Sequence, residues 1–127
     1  MSTNADEVHR IALSLPRAIQ DGSKLRYLVD GGKAFAWTWK KRVHEKRARV
    51  EQLDVFGVRV ADEEEKQALI ASDPAKFFTE PHYNGYPAVL VRLDAIDEDE
   101  LAELLTDAWR NAAPRRLVAE LDAGAGT

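Results

Sequence analysis

The chain has 127 residues, 45% of them hydrophobic and 31% charged, with a formal net charge of −4. That length fits one domain able to bury roughly two-thirds of its unfolded surface, so folding requires no metal or disulfide staple. Cysteine is absent, which excludes disulfides, zinc–thiolate centres, iron–sulfur clusters and cysteine nucleophiles, and no apolar run approaches the roughly 20 residues of a membrane span.

Near the N-terminus Asp6, Glu7, His9 and Arg10 interrupt any signal-peptide core, so the expected location is the cytoplasm. Residues 4–15 predict a helix, because Val8, Ile11, Ala12 and Leu15 follow the i, i+3, i+4, i+7 spacing of one helical face. Thr3 or Asn4 caps it, each with an acid three residues on. Pro16 ends it, since the residue before a proline avoids helical angles.

Two strands are expected at residues 25–29 and 34–40, joined through Asp30-Gly31-Gly32, whose glycines tolerate the positive φ of a tight turn. Alternation in the second places Phe35, Trp37 and Trp39 on one face. These aromatics suit either a sheet-to-helix core or a base-stacking platform. Residues 53–60 form a third strand with Phe56, Val58 and Val60 on one side. Residues 41–52 between them are expected to extend both strands as a projecting hairpin.

Asp62 opens a short helix with Glu65 at the capping-box spacing, and Asp73-Pro74 stops it. Phe77 and Phe78 are expected in the core. Residues 81–87 read as a turn-rich loop, and residues 88–93, apolar but for Arg92, as a central strand. Asp97 and Glu100 box the start of the clearest helix, with Ile96 and Leu101 as its hydrophobic staple. Its apolar stripe is Leu101, Leu104, Leu105, Ala108, Trp109 and Ala112. Pro114 suits the first position of a final helix carrying Leu117, Val118 and Leu121, with Gly124 and Gly126 at its frayed end. The order of elements predicts an α+β two-layer sandwich, an antiparallel sheet with helices on one face, as a single domain over residues 1–127.

Charge is unevenly distributed. From Lys24 to Arg49 nine Lys and Arg face two acids, Asp30 and Glu45, whereas the remainder holds nine basic and twenty acidic residues. Such asymmetry aims one face at an anionic partner. The densest part is Lys40, Lys41, Arg42, Lys46, Arg47 and Arg49. On a hairpin these cations either contact nucleic-acid phosphates and base edges or simply block edge-to-edge association. His82 and Tyr83 can serve a ligand or act as base and donor; the alternative is that His82 caps local backbone while Tyr83 and Tyr86 pack against the last helix. No nucleophile pattern accompanies them, and no phosphate-loop motif occurs. The acidic group Asp97, Glu98, Asp99, Glu100, Glu103 and Asp107 suits either a hard cation or the helix dipole.

Several segments together resemble the MmcQ/YjbR-like proteins. They are Leu13-Ser14-Leu15-Pro16, Asp73-Pro74-Ala75-Lys76-Phe77-Phe78, Pro81-His82-Tyr83-Asn84-Gly85-Tyr86 and Val89-Leu90-Val91-Arg92-Leu93. The stretch from Leu101 to Trp109-Arg110, followed by Ala113-Pro114-Arg115, completes the set. The resemblance spans about Val8 to Val118 and is most distinctive at Pro81–Tyr86. It implies a curved antiparallel sheet of frataxin-like or secretion-chaperone-like form. It also implies DNA binding through hairpins acting as wings, although the basic stretch after Trp39 does not map onto the family pattern. The expectation is a non-catalytic binding domain without cofactor or metal, with DNA as partner through the basic hairpin. The alternative is a protein or small-ligand module using the His82–Tyr86 loop or a sheet edge.

Overall fold

A computed structural model describes residues 2–41 and 46–125. Among the described residues are four α-helices, α1 (Ala5–Ser14), α2 (Glu63–Ser72), α3 (Glu98–Ala112) and α4 (Arg115–Ala125). Six strands accompany them: β1 (Ala18–Gln20), β2 (Arg26–Val29), β3 (Ala34–Lys41), β4 (Val50–Arg59), β5 (Phe77–Phe78) and β6 (Ala88–Arg92). All strand pairs are antiparallel, in the order β1-β2-β3-β4-β6-β5. The sheet is open, and the architecture is the expected α+β sandwich.

The helix starts follow from their caps. Asn4, Asp62 and Asp97 accept from the backbone N–H of Glu7, Glu65 and Glu100 at 3.0, 2.9 and 2.8 Å, satisfying donors that lack intrahelical partners. Thr3 instead ties the N-terminal segment to the end of β6, its Oγ1 donating to the Leu93 carbonyl at 2.9 Å. Pro114 directly precedes α4 rather than opening it; its carbonyl accepts from Val118 N at 3.2 Å. α4 continues through Gly124 to Ala125. In the β2–β3 turn Gly31 adopts φ +82°, as expected of a glycine there.

One face of the sheet carries the main core. Val8, Ile11 and Ala12 of α1 and Leu101, Leu105, Ala108, Trp109 and Ala112 of α3 are buried with Tyr27, Val29, Phe35, Phe56, Val58, Val89 and Val91 of the strands. α3 lies across β2, β3 and β4. Trp109 is fully buried, and its Nε1 donates to the Pro16 carbonyl at 2.8 Å, linking α3 to the end of α1.

The expectation that Phe35, Trp37 and Trp39 share a face is corrected. Tyr27 pairs with Ala36 and Leu28 with Ala34, leaving Phe35 as an extra residue in the ladder. A bulge of this kind breaks the two-residue alternation. Phe35 and Ala36 therefore both join the helix-side core. Trp37 and Trp39 fall on the opposite face, in a second cluster with Val55, Tyr83, Ala88, Leu90 and Phe78. The short strands β1 and β5 were not expected; three and two residues carry too little alternation to register. Phe77 and Phe78 of β5 split between the two clusters.

Replacing Leu105, fully buried, by Ala is expected to lower stability by about 2–5 kcal/mol. Leu121→Ala, at a position 37% exposed, should cost well under about 1 kcal/mol by the same logic of burial. Urea denaturation of both variants tests which face of the helices carries the core.

Candidate functional site

Across β2, β3, β4, β6 and β5, one row of paired residues lies on the helix-free face: Arg26, Trp37, Gly57, Leu90 and Phe78. Gly57 has a steric reason to be glycine. A Cβ there would stand 2.3 Å from Trp37 Nε1 and 2.7 Å from its Cε2. The indole thus lies over the backbone of β4, a place no side chain on Gly57 would leave open.

Residues 79–87 fold over the same face. Pro81–Tyr83 make one 3-10 turn, and Gly85 takes φ +76°. Tyr83 is buried, and its hydroxyl accepts from Trp37 Nε1 at 2.9 Å. Burial pushes the Tyr83 hydroxyl above the usual phenol range, only partly opposed by the Trp37 hydrogen bond. Lys66 of α2, 1% exposed, secures the loop from beneath; its Nζ donates to the carbonyls of Tyr83 at 2.6 Å and Tyr86 at 3.2 Å. Tyr83 and Tyr86 therefore pack against Trp37 and each other rather than against the last helix.

Between this loop, the β3–β4 ribbon and the residues leading into β2 runs an open groove of about 890 Å³. Its aromatic lining is Trp37, Tyr83, Tyr86 and His82; its charged lining is Lys24, Arg26, Lys40 and Arg49 against Glu51. Tyr86, 44% exposed, stands at 69° to the half-buried Trp37 with ring centroids 6.1 Å apart. Arg59 carries its guanidinium over the Tyr86 ring at 5.9 Å. Exposed His82 sits edge-on to Tyr83 at 5.8 Å.

The basic stretch and the loop, far apart in sequence, thus meet at one groove through Lys40 and Arg49 on one side and His82, Tyr83 and Tyr86 on the other. Arg49 is tucked in, donating to the Lys40 carbonyl at 3.0 Å and facing Glu80 at 3.5 Å. Arg26 pairs with Asp21 at 3.2 Å. Among the described residues Lys24 and Lys40 make no ion pair. Lys41 reaches over Trp39, 5.9 Å from its ring centroid, and lies outside the groove lining. Lys46 and Arg47 lie in the connection between β3 and β4, whereas Arg42 falls outside the described residues. Sequence reasoning did not single out Lys24, Arg26, Glu51, Gly57 or Lys66. Lys24 and Arg26 open the nine-cation segment, which was the available signal; the others owe their position to pairing and packing.

The sequence model of the YjbR family matches residues 13–111. The chain belongs to the YjbR family. This YjbR chain is 41% identical to the uncharacterized proteins Rv2570 of Mycobacterium tuberculosis and Mb2600 of Mycobacterium bovis, over 95% of its own length and 97% of theirs. No solved structure matches it. Trp37, Gly57, Lys66 and residues 81–86 all fall within the matched segment.

Three of the six acids at and along α3 have structural partners. Asp97 caps α3, Glu98 pairs with Arg10, and Glu100 accepts from Lys76 at 2.5 Å. Among the described residues no group of three or more His, Asp or Glu side chains is arranged to hold a metal ion. Among them too, no helix is long and apolar enough to cross a membrane.

Lys66→Met is expected to remove the charged donor from the Tyr83 and Tyr86 carbonyls, which keep only the backbone N–H groups of Tyr86 and Ala88, costing about 1–3 kcal/mol and speeding amide exchange in residues 82–86. Unchanged exchange there would show that the loop is held otherwise. Tyr83→Phe removes the acceptor of Trp37 Nε1 and should cost about 0.5–1.5 kcal/mol at neutral pH. The raised hydroxyl keeps its proton in the folded state after the unfolded chain has lost it. Its share of stability is therefore intact below about pH 10 and declines as pH rises toward the folded value. Urea midpoints from neutral to about pH 11 should fall less steeply for Tyr83→Phe than for the parent chain.

Proposed function

We propose that this YjbR-family chain is a non-catalytic nucleic-acid-binding domain, with DNA its leading ligand, and that the groove and the adjoining β3–β4 ribbon are its contact surface. One observation carries the reading: four cations and one carboxylate make up the charged lining of the groove on a chain whose net charge is −4. Placing the positive charges of an acidic protein around one concavity focuses its field on an anion there and repels that anion elsewhere. Lys24 and Lys40 at the groove and Lys41 beside Trp39 supply phosphate contacts, which carry most of the sequence-independent affinity for nucleic acid. Arg49, already bonded to Lys40 and Glu80, shapes the groove more than it offers a free charge.

The small-ligand alternative draws on the same groove, since about 890 Å³ lies within the roughly 300–1,000 Å³ of small-molecule sites. Phosphate-rich ligands of either size would use the same lysines, and they differ in how strongly salt weakens them.

If three or four phosphates are neutralised, the logarithm of the affinity constant should fall with the logarithm of salt concentration at a slope of about −2 to −4. Titration of labelled DNA at several salt concentrations measures it. Reversing Lys24, Lys40 and Lys41 to Glu should weaken binding at low salt and flatten the slope. Reversing Arg115 and Arg116, exposed on α4, should change little. Equal losses from both sets would assign the binding to diffuse charge and remove the groove from the explanation.

A further inference from the structure

The groove holds more than charge. We propose, building on the nucleic-acid reading above, that Trp37 and Tyr86 form a corner that receives one unpaired nucleobase, so that the strand bound here is single-stranded.

Of the large aromatic rings that line the groove these two are the available ones, Tyr83 being 8% exposed; half-buried Phe78 lies outside the groove lining, with the Arg92 guanidinium 4.0 Å over its ring. Trp39 and Trp109 are 9% and 0% exposed, whereas Trp37 is half-buried and Tyr86 is 44% exposed. Both are held in place. The Trp37 indole is pinned by its Nε1 bond to Tyr83 and lies over Gly57, where a Cβ would displace it. Tyr86 is braced by Tyr83, whose ring stands at 87° to it, and by Lys66 on its own carbonyl. Floor and wall meet at 69°, so a flat ring stacked on one presents its edge to the other. Both contacts are favourable aromatic geometries. Rings fixed before binding lose little conformational freedom when a ligand arrives.

Occupancy of such a corner requires a free π-face. In a duplex each base shows the protein only its groove edges, its faces being taken by stacking. An unpaired base can be splayed out and stacked on an aromatic side chain. The volume of about 890 Å³ suits one base with its flanking sugar and phosphates rather than the broad surface of a double helix. Lys24 and Lys40 line the same groove as the rings, where the phosphates on either side of a stacked base would run. A free mononucleotide presents the same ring and anion, so the test separates it from a strand.

The experiment uses the full chain with three probes: a labelled mixed-sequence single strand of about a dozen nucleotides, the same sequence as duplex, and AMP. Anisotropy reports affinity, and quenching of tryptophan fluorescence reports contact with Trp37. The single strand should bind at least tenfold more tightly than the duplex and far more tightly than AMP. Tyr86→Ala, which alters an exposed ring, should weaken strand binding about 10- to 100-fold while leaving the salt slope unchanged. Trp37→Leu should do the same, and Trp37→Phe, which keeps a stacking face, should largely restore affinity. Duplex binding as tight as the strand, with Tyr86→Ala and Trp37→Phe both neutral, would overturn the base corner while leaving the electrostatic reading intact. AMP binding as tightly as the strand would reassign the corner to free nucleotides. Failure of all three probes to bind would sink this inference and the nucleic-acid function together.

Discussion

The helix-free face of this protein is organised around one close approach, the indole of Trp37 over the bare backbone of Gly57. Because Gly57 has no side chain, the ring settles against β4 and turns its N–H toward the Tyr83 hydroxyl. That single placement joins three segments distant in sequence: β3, β4 and residues 79–87. The loop in turn is fastened from α2 by Lys66, a buried cation whose Nζ is satisfied by two carbonyls. Burying a lysine is costly unless its donors are met, so the loop and the lysine each require the other. The groove is the space left between this fastened loop and the ribbon.

The two faces of the sheet do different work. The helix side is the larger, fully covered apolar core, with Trp109 fixing α3 to the end of α1. The other side carries a smaller aromatic cluster and remains partly open. A sheet covered on one face alone normally exposes polar side chains on the other. Here cations and half-covered aromatic rings take that place. Surface ion pairs such as Arg10–Glu98 and Arg110–Asp122 are exposed and contribute little to stability. The groove cations that make no ion pair, Lys24 and Lys40, stabilise the fold no better; under the function proposed above, their place around a concavity serves to attract an anion.

Much of the fold was legible in the chain. The capping residues Asn4, Asp62 and Asp97 marked their helices within a residue, because a cap is a local hydrogen bond between a side chain and a backbone N–H three residues away. The stripe on α3 announced the core, with only Leu104 less than fully buried. The bulge at Phe35 was not legible. Nothing in Ala34-Phe35-Ala36-Trp37 distinguishes a regular strand from one that inserts an extra residue, since the bulge is settled by pairing with Tyr27 and Leu28. One unpaired residue moved Trp37 and Trp39 from the expected core to the face that carries the groove.

The candidate site shows the same division. Composition and order of residues by themselves determined the α+β class and the helix boundaries, which rest on periodicity and on contacts a few residues long, and the family resemblance and charge asymmetry, which rest on the identity of the residues alone. Tertiary structure alone decided that Lys40 and Arg49 of the basic stretch line one groove with His82, Tyr83 and Tyr86. It also decided that Gly57 is a seat for Trp37 and that Lys66 is a clasp rather than a surface charge. Those facts depend on strand register and on which elements become neighbours after folding, and neither is encoded within the span of a local motif.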